Sequence, residues 1–209
     1  TYAIVSLNQS IDQAIDSFPD LERSLGKGNL RVWTTGGVPI FSDINRASEK
    51  DLQRGEMLAI PLVLIALLVV FRTVIAACVP VVIGAISLSI SLALLLFMAH
   101  AIDVSIFALN IVSFLGLGIG IDYSLLVVSR FREESNNYPT DIAVARTLST
   151  SGKTILFSGT TTILGLSSLL LFQFMMLRSL GLGGILVVLT SLTVTTTLLP
   201  ALLSVLGPR

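Results

Sequence analysis

The sequence predicts a mainly α-helical membrane protein, in which a small α/β piece precedes a bundle of five transmembrane helices. Three observations support this fold class. Of the 209 residues, 53% are hydrophobic and only 12% are charged, whereas soluble domains contain roughly 25% charged residues. Five apolar runs follow residue 55, and most of them are long enough to cross a bilayer. The first fifty residues have the mixed composition of a segment that lies in water.

Residues 1–50 are predicted to form a βαβ-like unit. Tyr2–Leu7 alternates weakly as a strand, and Leu30–Thr34 reads as a second strand. Between them, Ser10–Leu25 has the apolar spacing of a helix, with Pro19 as a point of interruption. A unit of this size cannot hold a hydrophobic core alone. We therefore interpret it as the C-terminal part of a larger subdomain.

Residues 51–209 are predicted to form the transmembrane bundle. The predicted spans are residues 57–71, 74–99, 106–129, 154–177 and 181–206. The last four have 24 to 26 residues, more than the roughly 20 that a bilayer requires. The first has 15 residues, so we expect its helix to begin upstream and to include Arg54 and Glu56 in water.

The basic residues of the connections predict the orientation. One side of the bundle has six Lys or Arg residues in its connections, and the other side has only Arg178. The six are Arg72, Arg130, Arg132, Arg146, Lys153 and Arg209. By the positive-inside rule, connection 130–153 is cytoplasmic and residues 1–50 are extracytoplasmic. An extracytoplasmic start requires an earlier transmembrane helix, so we interpret the chain as a fragment that lacks this helix.

Several functional classes are excluded or disfavoured. The 13 basic and 13 acidic residues give no net charge, hence no electrostatic basis for nucleic-acid binding. Cys78 is alone, which excludes an internal disulfide, and His100 has no companion metal ligands. Ser151–Thr154 resembles the end of a phosphate-binding loop, but Thr147 stands where that loop needs glycine. No nucleophile is paired with a base, so neither an enzyme nor a cofactor or metal site is expected.

Asp122 is the only charged residue within the five apolar runs. It precedes Arg130 by eight residues, or roughly 12 Å along a helix, so it lies well below the headgroups. A carboxylate there costs at least ~2.5 kcal/mol on insertion scales, and such residues usually face a bundle interior or a water-filled cavity. We interpret Asp122 as a group that binds and releases protons. A structural hydrogen-bond acceptor between helices is the alternative.

Small residues and a tyrosine surround Asp122. Gly116 and Gly120 have the GxxxG spacing that lets a neighbouring helix approach closely, and Gly118 lies one turn before Asp122. Tyr123 is placed to donate its hydroxyl near the carboxylate, although ordinary packing also explains a buried tyrosine.

The hydroxyl side chains of the last two runs have a simpler interpretation. Ser158–Thr162 and the Ser and Thr residues of 190–197 are expected to donate hydrogen bonds to carbonyls one turn earlier in their own helices.

The segment GLGIGIDYSLLVVSRFREE, residues 116–134, resembles the resistance-nodulation-division (RND) superfamily and most closely its MmpL branch. The similarity continues through ARTLSTSGKTILFSGTTTILGLSSLLLF, LRSLGLGGILVVL and TLLPALLSVLG. Upstream, VWTTGGVPIFSDI resembles the end of the first porter subdomain. The chain thus resembles part of a porter domain followed by the second to sixth spans of a longer transporter.

This resemblance implies proton-driven export of lipids or other hydrophobic compounds across the bacterial cytoplasmic membrane, with the proton gradient as the energy source and no cofactor. Asp122 would bind and release the proton, and Tyr123 would hydrogen-bond within the relay. Gly116, Gly118 and Gly120 would let helices shift. The implied partners are membrane lipids, a hydrophobic substrate, and a second half of the transporter with a matching Asp-Tyr span. Association into a homo-oligomer and the substrate-binding residues are left open.

Three alternatives remain at this point. A protein-export accessory component of the same superfamily also has a Gly-rich Asp span, but there Asn typically follows the Asp, where this chain has Tyr123. A sterol-sensing-domain-like regulator would bind lipid without transporting it. A scaffolding membrane protein would make no use of a gradient, and Asp122→Asn would then leave its function intact.

Overall fold

The computed structural model describes residues 4–6, 8, 11–25, 32–102, 104–105 and 107–207. The chain divides into two compact units, Thr1–Met57 and Leu58–Arg209. The α-helices of the described ranges are α1 (Ile11–Leu25), α2 (Gly37–Phe71), α3 (Val74–Ala99), α4 (Phe107–Ser135), α5 (Thr140–Thr147), α6 (Lys153–Ser167) and α7 (Met175–Leu206). A π-helical segment, Leu148–Gly152, joins α5 to α6, and a 3₁₀ turn, Ser168–Leu171, follows α6.

The first unit contains α1 and the beginning of α2. Helix α1 buries Ala14 and Phe18. Pro19 lies inside α1 without ending it, so the two short helices that the sequence allowed form one helix instead. Arg46 of α2 donates a 3.3 Å hydrogen bond to Glu22 of α1. Both side chains are half-exposed, so this pair contributes little stability beside the buried apolar contacts.

The predicted α/β piece is wrong in the part of the chain that the structure describes. Residues 4–6 and 32–34, which belong to the two predicted strands, have no regular structure, and none of the described residues lies in a strand. Ile4 and Trp33 are 86% and 89% exposed. An alternating pattern becomes a strand only when a neighbour pairs with its backbone groups, and no described residue pairs with these segments in this way. The remainder of both predicted strands, and Ser10, lie outside the described residues.

Five helices of the described chain are long and apolar enough to cross a membrane. They are α2, α3, α4, the continuous stretch from Thr140 to Leu171, and α7. The protein is therefore a multi-pass membrane protein with a nearly all-helical fold.

Helix α2 begins far upstream of the first apolar run. Gly36 has a φ of +127°, which glycine adopts without steric strain, and the helix starts at the next residue. It then continues without a break through Arg54 and Glu56 to Phe71. The expected upstream extension is therefore present and is longer than the sequence suggested.

The fourth and fifth apolar runs are divided at a point that hydropathy did not reveal. The fourth run was drawn to residue 177, but its helical part ends at Leu171 and α7 begins at Met175. Phe172 and Phe174 have extended backbone conformations. Gln173 is the one polar residue of the break, and neither Gly nor Pro marks it, so composition could not locate it.

The core of the second unit lies where α3, α4 and α7 meet, and α6 packs against α7. Fully buried side chains there include Ile83 of α3, Val127 of α4 and Leu199 of α7. Because lipid tails are as apolar as these side chains, helix association in a bilayer depends on close packing rather than on removal of apolar surface from water. This requirement explains the small residues at the α3–α4 contact.

Candidate functional site

Helix α4 has one buried and one exposed face. The buried face contains Ser113, Gly116, Gly120 and Tyr123. On the opposite side, Phe114, Gly118, Asp122 and Leu126 follow one another at intervals of four residues, and all four are exposed within this chain. We call these four residues the open α4 face. The only charged side chain of the predicted spans therefore lies on a helix surface that the described residues leave uncovered.

Asp122 has no partner of its own in the described part of the chain. The ion pairs of these residues involve other acidic side chains, and no hydrogen bond reaches its carboxylate. An unpaired carboxylate at membrane depth is costly against lipid, and such groups face protein or water. The open α4 face is thus a surface that needs a covering element or a hydrated cavity.

Tyr123 points away from Asp122. Consecutive residues of an α-helix are separated by about 100°, and Tyr123 is 6% exposed within the main core cluster. Among the described residues, its hydroxyl forms no hydrogen bond with the carboxylate. The structure therefore places the two predicted relay residues on different sides of α4.

Two of the three glycines lie against α3. A Cβ atom added to Gly120 would be 2.8 Å from the Cα of Gly84, and one added to Gly116 would be 3.2 Å from Leu88 Cδ1. Conversely, a Cβ atom on Gly84 would be 2.9 Å from Ile121 Cγ1. The backbones of α3 and α4 approach closely here, as GxxxG spacing predicts. Gly118 differs, because no atom of a neighbouring helix in the described part of the chain would lie within 4 Å of its added Cβ.

Most hydroxyl groups of the last two spans behave as expected, but the exposed hydroxyl of Ser158 and two buried ones donate no hydrogen bond among the described residues. Thr190, Thr193, Thr196 and Thr197 donate hydrogen bonds to carbonyls four residues earlier. The buried hydroxyls of Ser191 and Thr195, together with that of Ser87 in α3, have no hydrogen-bond partner. The prediction was therefore wrong for Ser158, Ser191 and Thr195. The last two lie four and eight residues after Val187, which packs with residues of α3 and α4, so their helix face is the one directed at the bundle core.

The cytoplasmic end of α4, as predicted from charge, has the polar contacts that sequence reasoning missed. Glu134 is buried and forms ion pairs with Arg130, at 2.6 Å, and with Arg146 of α5, at 3.2 Å. The Arg146 guanidinium also lies 4.3 Å from the centre of the Tyr138 ring. The spacing of Arg130 and Glu134 is an ordinary i, i+4 signal. The contact between Glu134 and Arg146 of α5, in contrast, forms only because the chain folds back after α4.

A second contact joins α4 to α2. Arg132 Nη1 donates a 2.6 Å hydrogen bond to the carbonyl oxygen of Phe71, and its guanidinium lies 5.7 Å from the centre of the Phe71 ring. The two residues are 61 positions apart in sequence. No local pattern indicates this pair.

The profile of the MMPL family matches residues 1–209. The chain belongs to the MMPL family. The membrane protein SCO6666 of Streptomyces coelicolor is 35% identical to it over 201 residues, which are 96% of this chain and 28% of that protein.

Two further MMPL-family relatives are named as exporters. The trehalose monomycolate exporter MmpL3 of Mycolicibacterium smegmatis is 40% identical over 91% of this chain and 19% of that protein. The mycolic acid-containing lipids exporter MmpL11 of the same species is 31% identical over 86% of this chain and 19% of that protein. The chain thus spans less than a third of the length of these relatives, and its MMPL-family resemblance covers nearly all of its own length.

Proposed function

We propose that this chain is part of an MmpL-type transporter that exports lipids or other hydrophobic compounds, driven by the proton gradient across the bacterial cytoplasmic membrane. The names of two relatives supply the substrate class. They favour lipid export over the protein-export accessory, sterol-sensing and scaffolding alternatives. In this proposal the protein is a secondary active transporter rather than an enzyme, and it requires no cofactor or metal.

The observation that supports the proposal most directly is the position of Asp122. It is the one carboxylate within the predicted spans, it is exposed on the open α4 face, and no described residue pairs with it. A charge in this position is tolerated where protein or water covers it. In the proposed mechanism, a proton neutralises Asp122, and the loss of charge changes which position of α4 has the lower free energy. Each proton that crosses 100 mV releases roughly 2.3 kcal/mol to drive this change.

The partner proposed for the open α4 face is the second half of the same transporter. Its own Asp-Tyr span would lie against Phe114, Gly118, Asp122 and Leu126, and Gly118 leaves room for a close approach. Tyr123 would act in the relay from the buried side of α4. Gly116 and Gly120 would let α4 shift against α3. Connection 130–153 is proposed to be cytoplasmic, and residues 1–50 extracytoplasmic.

Asp122→Asn tests the proposal. The full-length Asp122→Asn transporter would be reconstituted in proteoliposomes with an imposed proton gradient. We expect it to export lipid at least about tenfold more slowly than the wild type, because the amide cannot take up a proton. Asp141→Asn is the matched control, since Asp141 is an exposed carboxylate of α5 outside the predicted spans. It should leave export unchanged.

Undiminished, gradient-dependent export by an Asp122→Asn protein of normal folded yield would contradict the proton role. Export that is slow in both variants would contradict the assignment to Asp122 in particular.

A further inference from the structure

Two arginines, Arg130 and Arg132, lie near the C-terminal end of α4. Arg130 forms ion pairs with glutamates, whereas Arg132 forms no ion pair among the described residues. Its polar contact is instead the carbonyl oxygen of Phe71, at 2.6 Å, and its guanidinium lies over the Phe71 ring. Phe71 is the last residue of α2. Carbonyls at a helix C-terminus lack intrahelical partners and bear the negative end of the helix dipole, so Arg132 serves as the cap of another helix.

The rest of the membrane part of α2 has little support from this chain. Of residues 57–71, only Leu67 and Phe71 are buried, and both belong to the last turns. Leu58, Leu62 and Val69 are at least 70% exposed. The attachment of α2 to the bundle is therefore concentrated at its C-terminal end, where Arg132 binds.

The connection after α2 is short and conformationally restricted. Arg72 has a φ of 56°, a value that residues with a Cβ atom rarely adopt. Thr73 follows, and α3 begins at Val74. Because two residues alone separate the helices, a displacement of the Phe71 end cannot be absorbed by a flexible loop.

Arg132 and Asp122 lie on the same uninterrupted helix, ten residues apart, or roughly 15 Å. A movement of α4 that follows protonation of Asp122 would move Arg132 with it. Helix α2 in turn runs without a break from Gly37, in the unit Thr1–Met57, to Phe71.

We propose that Arg132 is a positioning residue of the transport cycle, which couples the position of the Asp122 helix to α2 through Phe71. This inference rests on the proposed function. In this proposal Arg132 transmits the proton-dependent movement of α4 to α2, and it binds neither protons nor substrate.

The test measures proton flux and lipid export together in the full-length transporter, reconstituted in proteoliposomes. Arg132→Gln removes the charge and the guanidinium that donates to the Phe71 carbonyl, so we expect export to fall at least about tenfold while gradient-driven proton flux continues. The number of protons moved per exported lipid should therefore rise by a similar factor. Arg132→Lys keeps a cation and one donor at the Phe71 carbonyl and should restore part of the coupling.

Lys153→Gln is the control, because Lys153 is an exposed cation at the start of α6 with no ion pair among the described residues. It should leave the proton-to-lipid ratio unchanged. A purely structural role for Arg132 predicts that both fluxes fall together with folded yield, and an unchanged ratio would overturn the proposal. If Arg132→Gln does not fold, the ratio measured for Arg132→Lys decides, and we expect at least a twofold rise.

Failure of the proposed function has a different signature. A wild-type protein whose lipid export does not respond to the proton gradient would remove the basis of both proposals. A gradient-coupled wild type with an unchanged ratio in the Arg132 variants would remove only the role of Arg132.

Discussion

At the scale of single residues, the glycines of α4 show how similar sequence positions acquire different environments. Gly120 faces α3, and an added Cβ atom would be 2.8 Å from the Cα of Gly84. The atom that it would strike belongs to the backbone and cannot rotate away. Gly118, two residues earlier, faces open space within this chain. The same residue type thus permits helix packing in one case and leaves a surface accessible in the other.

Gly120→Ala is expected to destabilise the protein. Helices α3 and α4 would have to separate to admit the methyl group, at a cost of about 1–3 kcal/mol in the free energy of unfolding. Gly165→Ala in α6 is the control, since an added Cβ atom there would meet no other residue within 4 Å. Alanine is the better helix former, by up to about 1 kcal/mol, so the control should be neutral or stabilising. Equal unfolding temperatures of the two purified variants would contradict the close α3–α4 contact.

At the scale of helices, the end of α4 is a junction of buried and exposed charges. Glu134 is buried, with its side chain 9% exposed, and binds Arg130 of its own helix and Arg146 of α5. Its neighbour Glu133 binds Arg130 as well, but the Glu133 side chain is 68% exposed. Burial makes the first carboxylate harder to replace, because its oxygens depend on the two arginines rather than on water. This junction holds α5 against α4.

Substitution of the two glutamates separates these effects. Glu134→Gln should lower the free energy of unfolding by about 1–3 kcal/mol, because it removes the buried negative charge with which both Arg130 and Arg146 form ion pairs. Glu133→Gln should change it by less than about 0.5 kcal/mol, as is usual for exposed pairs. Thermal unfolding, together with amide hydrogen exchange of α5, measures both. Faster exchange in α5 for the Glu133 variant than for the Glu134 variant would be incompatible with this assignment.

At the scale of the whole molecule, the chain is a bundle of five membrane-crossing helices with one face of α4 uncovered. The uneven distribution of Lys and Arg predicts that connection 130–153 lies in the cytoplasm. This predicted orientation would place the Arg132 and Glu134 contacts on the cytoplasmic side. The turn between Leu171 and Met175 would then lie on the opposite side.

Cysteine labelling in cells tests this orientation. In a Cys78→Ala background, Asn136→Cys introduces a thiol into the exposed turn between α4 and α5, and Gln173→Cys introduces one before α7. A membrane-impermeant maleimide should label Gln173→Cys in intact cells, but Asn136→Cys only after the membrane is opened. The reverse pattern would show that the charge asymmetry had been interpreted with the wrong sign.

The sequence was sufficient for those features that depend on local composition and spacing. The apolar runs and the spacing of Gly116 and Gly120, both of which lie against α3, follow from residue type and helical period alone. The same local information failed for the predicted strands, since a strand exists only with a paired neighbour. It also missed the break near Phe172, where no residue with special backbone preferences marks the end of the helix.

By itself, therefore, the sequence determined that this protein crosses a membrane several times and carries one carboxylate within a Gly-rich helix. Only the tertiary structure decided that Asp122 and Tyr123 lie on different sides of α4, and that Arg132 caps α2. Exposure and long-range contacts depend on which helices become neighbours, and that choice reflects packing among residues distant in sequence. The physical reason is that the helical period determines on which face of its helix a side chain lies, whereas the neighbouring helices determine which residues that face contacts.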